Sequence, residues 1–107
     1  MTNISYVTGD DSFCIKVDGH AGYAEKGADI VCAAVSALCC TLAARVTETT
    51  AEGQYDIYID KAHGRMMVSA CGKSALDAFM TILPGLEQTA YAFPDNVHIA
   101  EEVNGGV

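Results

Sequence analysis

The chain lacks the residue patterns that are typical of proteins that bind nucleic acid, span a membrane or work in an oxidising compartment. It has no tryptophan and only six basic residues against fourteen acidic ones, a net charge of -8 that repels phosphate backbones. Its longest uncharged run, 30–44, is too short for the roughly 20 apolar residues of a bilayer span. The five cysteines are odd in number and lack CxxC spacing, which favours free thiols. We therefore expect a cytoplasmic protein that binds neither nucleic acid nor membrane.

Two hairpins are predicted by short β-rich runs around turn residues. Residues 4–7 and 13–17 flank a Gly-Asp-Asp turn at 9–11. Residues 55–60 alternate between apolar and polar side chains, and 66–70 follow after a short polar turn. The second hairpin is therefore expected to have one wetter face.

Two helices are predicted from periodicity and capping residues. Asp29 is a suitable N-cap for an apolar run that extends from 30 to about 46 without a helix breaker. Apolar residues recur at helical spacing over 75–89, where Ser74 and the aspartate three positions later resemble a capping box. Pro84 is expected to bend this second helix.

The order ββαββα(β) predicts an α+β fold with two layers. Residues 97–100 add a last short strand, and we expect 101–107 to be a disordered tail. The mostly antiparallel sheet would be covered on one face by two helices, in a single domain over 1–107.

The first helix carries no charge between Ile30 and Ala44 on any of its faces. A helix lying on a sheet normally keeps one solvated side. We therefore expect a homodimer with isologous helix contacts, the alternative being that the second helix alone covers this side. The small residues that would let another helix approach closely are Ala33, Ala34, Ala37, Ala43 and Ala44.

The stretch GHAGYAEKGADIVC contains the strongest candidates for chemistry, His20 and Cys32. If Asp29 is the N-cap, Cys32 lies in the first helical turn, where unpaired N–H groups and the helix dipole favour a thiolate. A thiolate is the nucleophile that acyl transfer requires. The loop after His20 can return its imidazole to the helix start, as acid/base partner of the thiol. The same amides could hold an oxyanion.

The structural alternative is that both side chains simply pack, because free cysteine is often buried. Asp29 is also ambiguous, since a carboxylate that caps the helix cannot easily orient His20 as well. Capping is the simpler role.

The remaining cysteines and histidines are weaker candidates. Cys39 and Cys40 lie in mid-helix, where we expect inert thiols that pack as small hydrophobes. His63 falls in a hairpin turn and His98 in a strand, and neither lies near a second ligand-type residue. We expect no bound metal.

The glycines before the first helix do not form a phosphate-binding loop. Gly19, Gly22 and Gly27 lack the GxGxxG spacing and the Lys-Ser/Thr of a P-loop. They suit a mobile segment that closes over a substrate.

The motif halves GHA at 19–21 and GADIVCAAVSAL at 27–38 resemble the signature of the ribosomal-processing cysteine protease family. The similarity extends over roughly 3–101, and its order of strands and helices agrees. The residues that fall on motif positions are Gly19, His20, Asp29, Cys32 and Ser36.

The resemblance implies a small homodimeric cytoplasmic endopeptidase without a cofactor. Cys32 would be the nucleophile and His20 its acid/base partner. The implied substrate is the N-terminal extension of large-subunit ribosomal protein twenty-seven, cut after a pair of aromatic residues. A flexible loop that includes Ala21, Gly22 and Gly27 would order around this substrate.

Supporting roles and competing functions remain open at this point. Gly19, Asp29 and Ser36 are candidates for support. The Ser36 hydroxyl is expected either to hydrogen-bond to the nucleophile or to bond back to the Cys32 carbonyl, and we favour the second, structural role. One alternative function is a non-catalytic acidic protein that binds ribosomes. The other is a thiol hydrolase that acts on a different substrate.

Overall fold

A computed structural model describes residues 1–25 and 27–102 of the chain. The order of its strands and helices confirms the predicted α+β fold. The elements are β1 (Thr2–Thr8), β2 (Ser12–Asp18), α1 (Ile30–Thr49), β3 (Tyr55–Asp60), β4 (Arg65–Cys71), α2 (Lys73–Ala92) and β5 (Val97–Glu101).

The strands form one five-stranded sheet in the order β3-β4-β2-β1-β5. All neighbours are antiparallel except β1 and β5, which run parallel because α2 carries the chain back across the sheet. The pairing of β2 with β4 joins the two hairpins edge to edge.

One face of the sheet forms the core together with both helices. Ile15 lies opposite Val68 in the register of β2 and β4, and both are buried. Phe13 on the same face stacks on Phe79 of α2, with ring centroids 4.8 Å apart. The side chains by which α1 joins this core are Val31, Val35, Cys39, Leu42 and Val46.

Helix α1 begins where the sequence predicts. The Asp29 side chain accepts hydrogen bonds from the N–H groups of Val31 and Cys32, which confirms the N-cap. By length and composition alone α1 could cross a membrane. Its buried side chains pack in the core, however, and Arg45 lies in its last quarter, as in the central helix of a globular domain.

Helix α2 differs from the prediction at its start. It begins at Lys73 with Gly72 as N-cap and has no side-chain cap, so the predicted capping box at Ser74 is wrong. Gly72 has a φ of 121°, a backbone conformation that no capping serine would adopt easily. The helix runs through Pro84 to Ala92 as one element, longer than predicted.

The disordered tail predicted for 101–107 is placed too early in the sequence. Glu101 is the last residue of β5, and the N–H of Glu102 donates to the Tyr6 carbonyl at 2.7 Å. Pairing with β1 keeps this segment in the sheet. The rest of the predicted tail, 103–107, lies outside the described residues.

Candidate active site

A cleft of about 630 Å³ opens between the start of α1, the end of β2 and the turn that joins β3 to β4. His20 and Cys32 both line it, so the fold brings the two candidates to one site. Its apolar wall is formed by Val17, Val35, Ile59 and Met66, among others.

The Cys32 sulfur lies half-buried in the first turn of α1. It accepts a hydrogen bond from the N–H of Ala21, with a nitrogen–sulfur distance of 3.2 Å. An N–H donor and the positive end of a helix both favour negative charge on sulfur. Among the described residues, the His20 ring makes no hydrogen bond to this sulfur.

Asp29 holds two segments of the chain together. Its Oδ1 accepts from the helix-start N–H groups of Val31 and Cys32, at 3.0 and 2.9 Å. Its Oδ2 accepts from Tyr23 and Ala24 in the preceding loop, at 3.0 and 3.3 Å. Both carboxylate oxygens are therefore committed to backbone N–H groups, and the alternative of orienting His20 is not observed.

These contacts also set the acidity of Asp29. The Cys32 N–H holds the pKa of the carboxyl below its usual range, helped by the loop N–H groups and opposed by burial. Since the folded pKa lies below the unfolded one, the contribution to stability is complete above the ordinary value of about 3.9. It is lost as the pH falls through the folded value.

Asp29→Asn is expected to release one of the two segments. An amide has one acceptor oxygen, so it can serve the helix start or the loop but must turn an NH₂ group towards the other pair of donors. We expect a lower urea midpoint at pH 7, faster exchange of the Tyr23 and Ala24 amide hydrogens, and a flatter loss of stability below about pH 4. Urea titrations across pH and hydrogen exchange measure these effects. An unchanged acid profile would contradict the role of Asp29.

The backbone around His20 is held from two sides. The N–H of Gly19 donates to the Gly64 carbonyl at 2.8 Å, and the Thr2 hydroxyl donates to the Gly19 carbonyl at 3.2 Å. Gly19 has a φ of 95°, and a Cβ there would collide with the Met1 carbonyl oxygen. Gly19 is therefore required by both its conformation and its surroundings. The contacts with Thr2 and Gly64 were not predicted, because they join residues distant in sequence.

The loop between His20 and α1 is anchored at its beginning. Ala21 is 1% exposed, and its carbonyl accepts from the Asn96 side chain at 3.0 Å. Both of its backbone groups are bonded here, and its predicted place in a flexible substrate loop stays a prediction. Gly22 and Gly27 line the cleft with φ values of 69° and 91°, and their predicted mobility stays a prediction. Lys26 lies outside the described residues.

Ser36 and the paired cysteines of α1 differ from expectation. Ser36 lines the cleft, and among the described residues its hydroxyl makes neither of the two expected bonds, to the Cys32 sulfur or to the Cys32 carbonyl. Cys39 is buried as predicted, and burial, with a smaller effect of Cys40, raises the pKa of its thiol to about 12. Cys40 instead is exposed, because a helix turns adjacent residues to different faces.

The histidines outside the motif have separate positions. Contrary to the expectation that no ligand-type residue lies near it, His63 contacts Asp60 at the turn between β3 and β4, with Nδ1 and a carboxylate oxygen 2.8 Å apart. This hydrogen bond holds the pKa of Asp60 below its usual range. His98 is exposed on β5. Within 1–25 and 27–102, no group of three or more His, Cys, Asp or Glu side chains could hold a metal ion.

Solved structures share this fold. The essential ribosomal processing protease Prp from S. aureus, in complex with a covalently linked product peptide, matches with a TM-score of 0.84 and 24% identity over 95% of this chain and 100% of that chain. The same protease with a substrate peptide matches at 0.79 and 23%, with the same coverage. SMU.848 from Streptococcus mutans matches at 0.69 and 25%, over 94% of this chain and 93% of that one.

A search of curated proteins finds no match to the chain. The profile of the family "Cysteine protease Prp" matches residues 1–98. This match covers both motif halves and every strand and helix, except the last residues of β5. The chain therefore belongs to the cysteine protease Prp family.

Proposed function

We propose that the chain is an endopeptidase in which Cys32 is the nucleophile and His20 the general acid and base. The observation that carries this proposal is the position of the Cys32 sulfur. It lies at the N-terminus of a helix, receives the Ala21 N–H, and faces the cleft that His20 also lines. These surroundings favour an anionic sulfur and leave it open to a peptide.

The reaction follows from the positions of these groups. His20 takes the proton of the Cys32 thiol, the sulfur attacks the scissile carbonyl carbon, and His20 passes the proton to the leaving amine as the C–N bond breaks. The shortened protein leaves with its new N-terminus, and the leader stays on Cys32 as a thioester. His20 then takes a proton from water, whose oxygen attacks the thioester and releases the leader.

This mechanism requires His20 to move closer to the sulfur when a substrate binds. The ring is exposed, and among the described residues it makes no hydrogen bond at all, so no bond has to break when its side-chain torsions change. Catalytic hydrogen bonds are often formed only in the substrate complex.

The proposed substrate is the N-terminal extension of large-subunit ribosomal protein twenty-seven, cut after a pair of aromatic residues. The S. aureus relative is a ribosomal processing protease whose structures hold substrate and product peptides. The apolar wall of the cleft suits aromatic side chains. The net charge of -8 favours encounter with a basic ribosomal protein.

Mass spectrometry of a synthetic leader peptide tests this substrate. The peptide carries the aromatic pair followed by the mature N-terminus, and the control has alanine in place of both aromatic residues. We expect one cut after the aromatic pair and none in the control. Tight binding without cleavage would favour a ribosome-binding protein, and cleavage only of unrelated peptides or esters would favour another thiol hydrolase.

We further propose that the enzyme is cytoplasmic and acts as a homodimer through α1. All five cysteines are free, in keeping with a reducing compartment. Helix α2 leaves one face of α1 exposed, which includes Ile30, Ala37 and Ala44, with Ile30 60% exposed. Ala43, which we had assigned to this contact, is buried in the core instead.

Sedimentation velocity at micromolar concentration tests the dimer. We expect a dimer for the natural chain and a monomer for Ala37→Arg, because a charged side chain would face its own copy across an isologous contact. Ala51→Arg, in the exposed segment after α1, is the matched control and should remain dimeric. A monomeric natural chain would reject this proposal.

A further inference from the structure

We propose that Asn96 is a positioning residue that aims the Ala21 N–H at the Cys32 sulfur. The proposal rests on the proposed role of Cys32 as the nucleophile. Asn96 lies between α2 and β5, 75 residues from Ala21 in sequence, and nothing in the local sequence pattern singles it out.

Asn96 is fixed by three hydrogen bonds. Its N–H donates to the Phe93 carbonyl at 3.0 Å, and its carbonyl accepts from the Thr2 N–H at 2.8 Å. Its Nδ2 donates to the Ala21 carbonyl at 3.0 Å. The first two bonds hold the residue to the end of α2 and the start of β1, so the side chain extends from a rigid base.

Ala21 connects Asn96 to the Cys32 sulfur through hydrogen bonds of its two backbone groups. It is 1% exposed and has no polar side-chain atom, so only its two backbone groups can orient it. One of them, the N–H, donates to the Cys32 sulfur at 3.2 Å, and the other, the carbonyl, is held by Asn96.

The chemistry of the contact requires an asparagine donor. A carbonyl oxygen only accepts, so the atom that Asn96 directs at Ala21 must be its NH₂ group. Aspartate has the same shape but would place an oxygen against that carbonyl. Without the donor, the Ala21 carbonyl is no longer held in place. Ala21 can then shift, and its N–H moves away from the Cys32 sulfur.

Two variants separate this role from a general effect on stability. For Asn96→Ala and Asn96→Asp we expect iodoacetamide to alkylate Cys32 about tenfold more slowly at neutral pH. A tenfold change is the effect expected when one hydrogen bond to a charged group is weakened. Turnover of the leader peptide should fall about as much in kcat, with little change in KM, because Asn96 lies outside the residues that line the cleft.

Two other positions in the chain serve as controls for these measurements. Cys71 is exposed at the end of β4, and its alkylation rate in the same sample should not change. Gln88→Glu makes the same amide-to-carboxylate change at an exposed position of α2 and should behave like the natural chain. Urea titration establishes that each variant is folded under the assay conditions.

The outcomes distinguish this proposal from the proposed function. If the folded Asn96 variants alkylate Cys32 and turn over peptide at the natural rates, Asn96 has no positioning role, even where their urea midpoints fall. If Cys32→Ala retains cleavage, the proposed function fails first. Slow alkylation in both Asn96 variants beside an unchanged Cys71 supports the positioning role, whatever the peptide substrate.

Discussion

Cys32→Ala is expected to abolish peptide cleavage while the protein stays folded. The substitution removes the sulfur that forms the acyl-enzyme, and losses on removal of a catalytic nucleophile are roughly 10⁴-fold or more. The side chain is only half-buried, so the fold loses little packing. His20→Ala should have nearly the same effect. The measurement is kcat/KM on the leader peptide, together with a urea titration.

A second cysteine provides the control for this experiment. Cys71→Ala removes an exposed thiol at the end of β4, outside the residues that line the cleft, and should leave turnover unchanged. Retained cleavage in Cys32→Ala would end the proposed mechanism. Equal losses in the Cys32 and Cys71 variants would point to a general effect of losing a thiol.

The start of α1 could be predicted because its signals are local. Asp29, the apolar run after it and the thiol in the first turn lie within a few residues of each other, and capping depends on that spacing. The strands could be predicted from short β-rich runs beside turns and, for β3, from alternation. Except in β3, their ends extend further than predicted, because pairing with β2 or β1 continues the ladder past the last apolar residue.

The supporting contacts of the site could not be predicted, because they depend on how distant segments meet. Thr2, Gly64 and Asn96 reach the segment 19–21 from three different elements. No periodicity marks such a contact before the strand order is known. Asp29 shows the same difference between local and distant contacts. Its role as helix cap could be predicted, but the hydrogen bond from the Tyr23 N–H to its second carboxylate oxygen could not.

Gly64→Ala is expected to lower turnover several-fold, because the added Cβ forces a shift of a few tenths of an ångström at His20, less than the displacement of about 1 Å that costs roughly 100-fold. Gly64 lies in the turn between β3 and β4, directly against His20. A Cβ at this position would lie 3.0 Å from His20 Cε1 and 3.1 Å from the carbonyl carbon and oxygen of Gly19. The Gly19 backbone cannot yield easily, because its N–H is bonded to Gly64 itself. The ring and its backbone must therefore shift.

Gly53→Ala separates this contact from backbone strain. Gly53 has a φ of 89°, further from the left-handed region than the 62° of Gly64, yet an added Cβ meets nothing within 4 Å. Alanine there should cost about 1 kcal/mol of unfolding free energy and leave kcat/KM unchanged. If both variants lose stability but only Gly64→Ala loses turnover, the contact with His20 is responsible. Equal turnover in the two would mean that His20 tolerates displacement, and the proposed acid/base role would then lose its geometric basis.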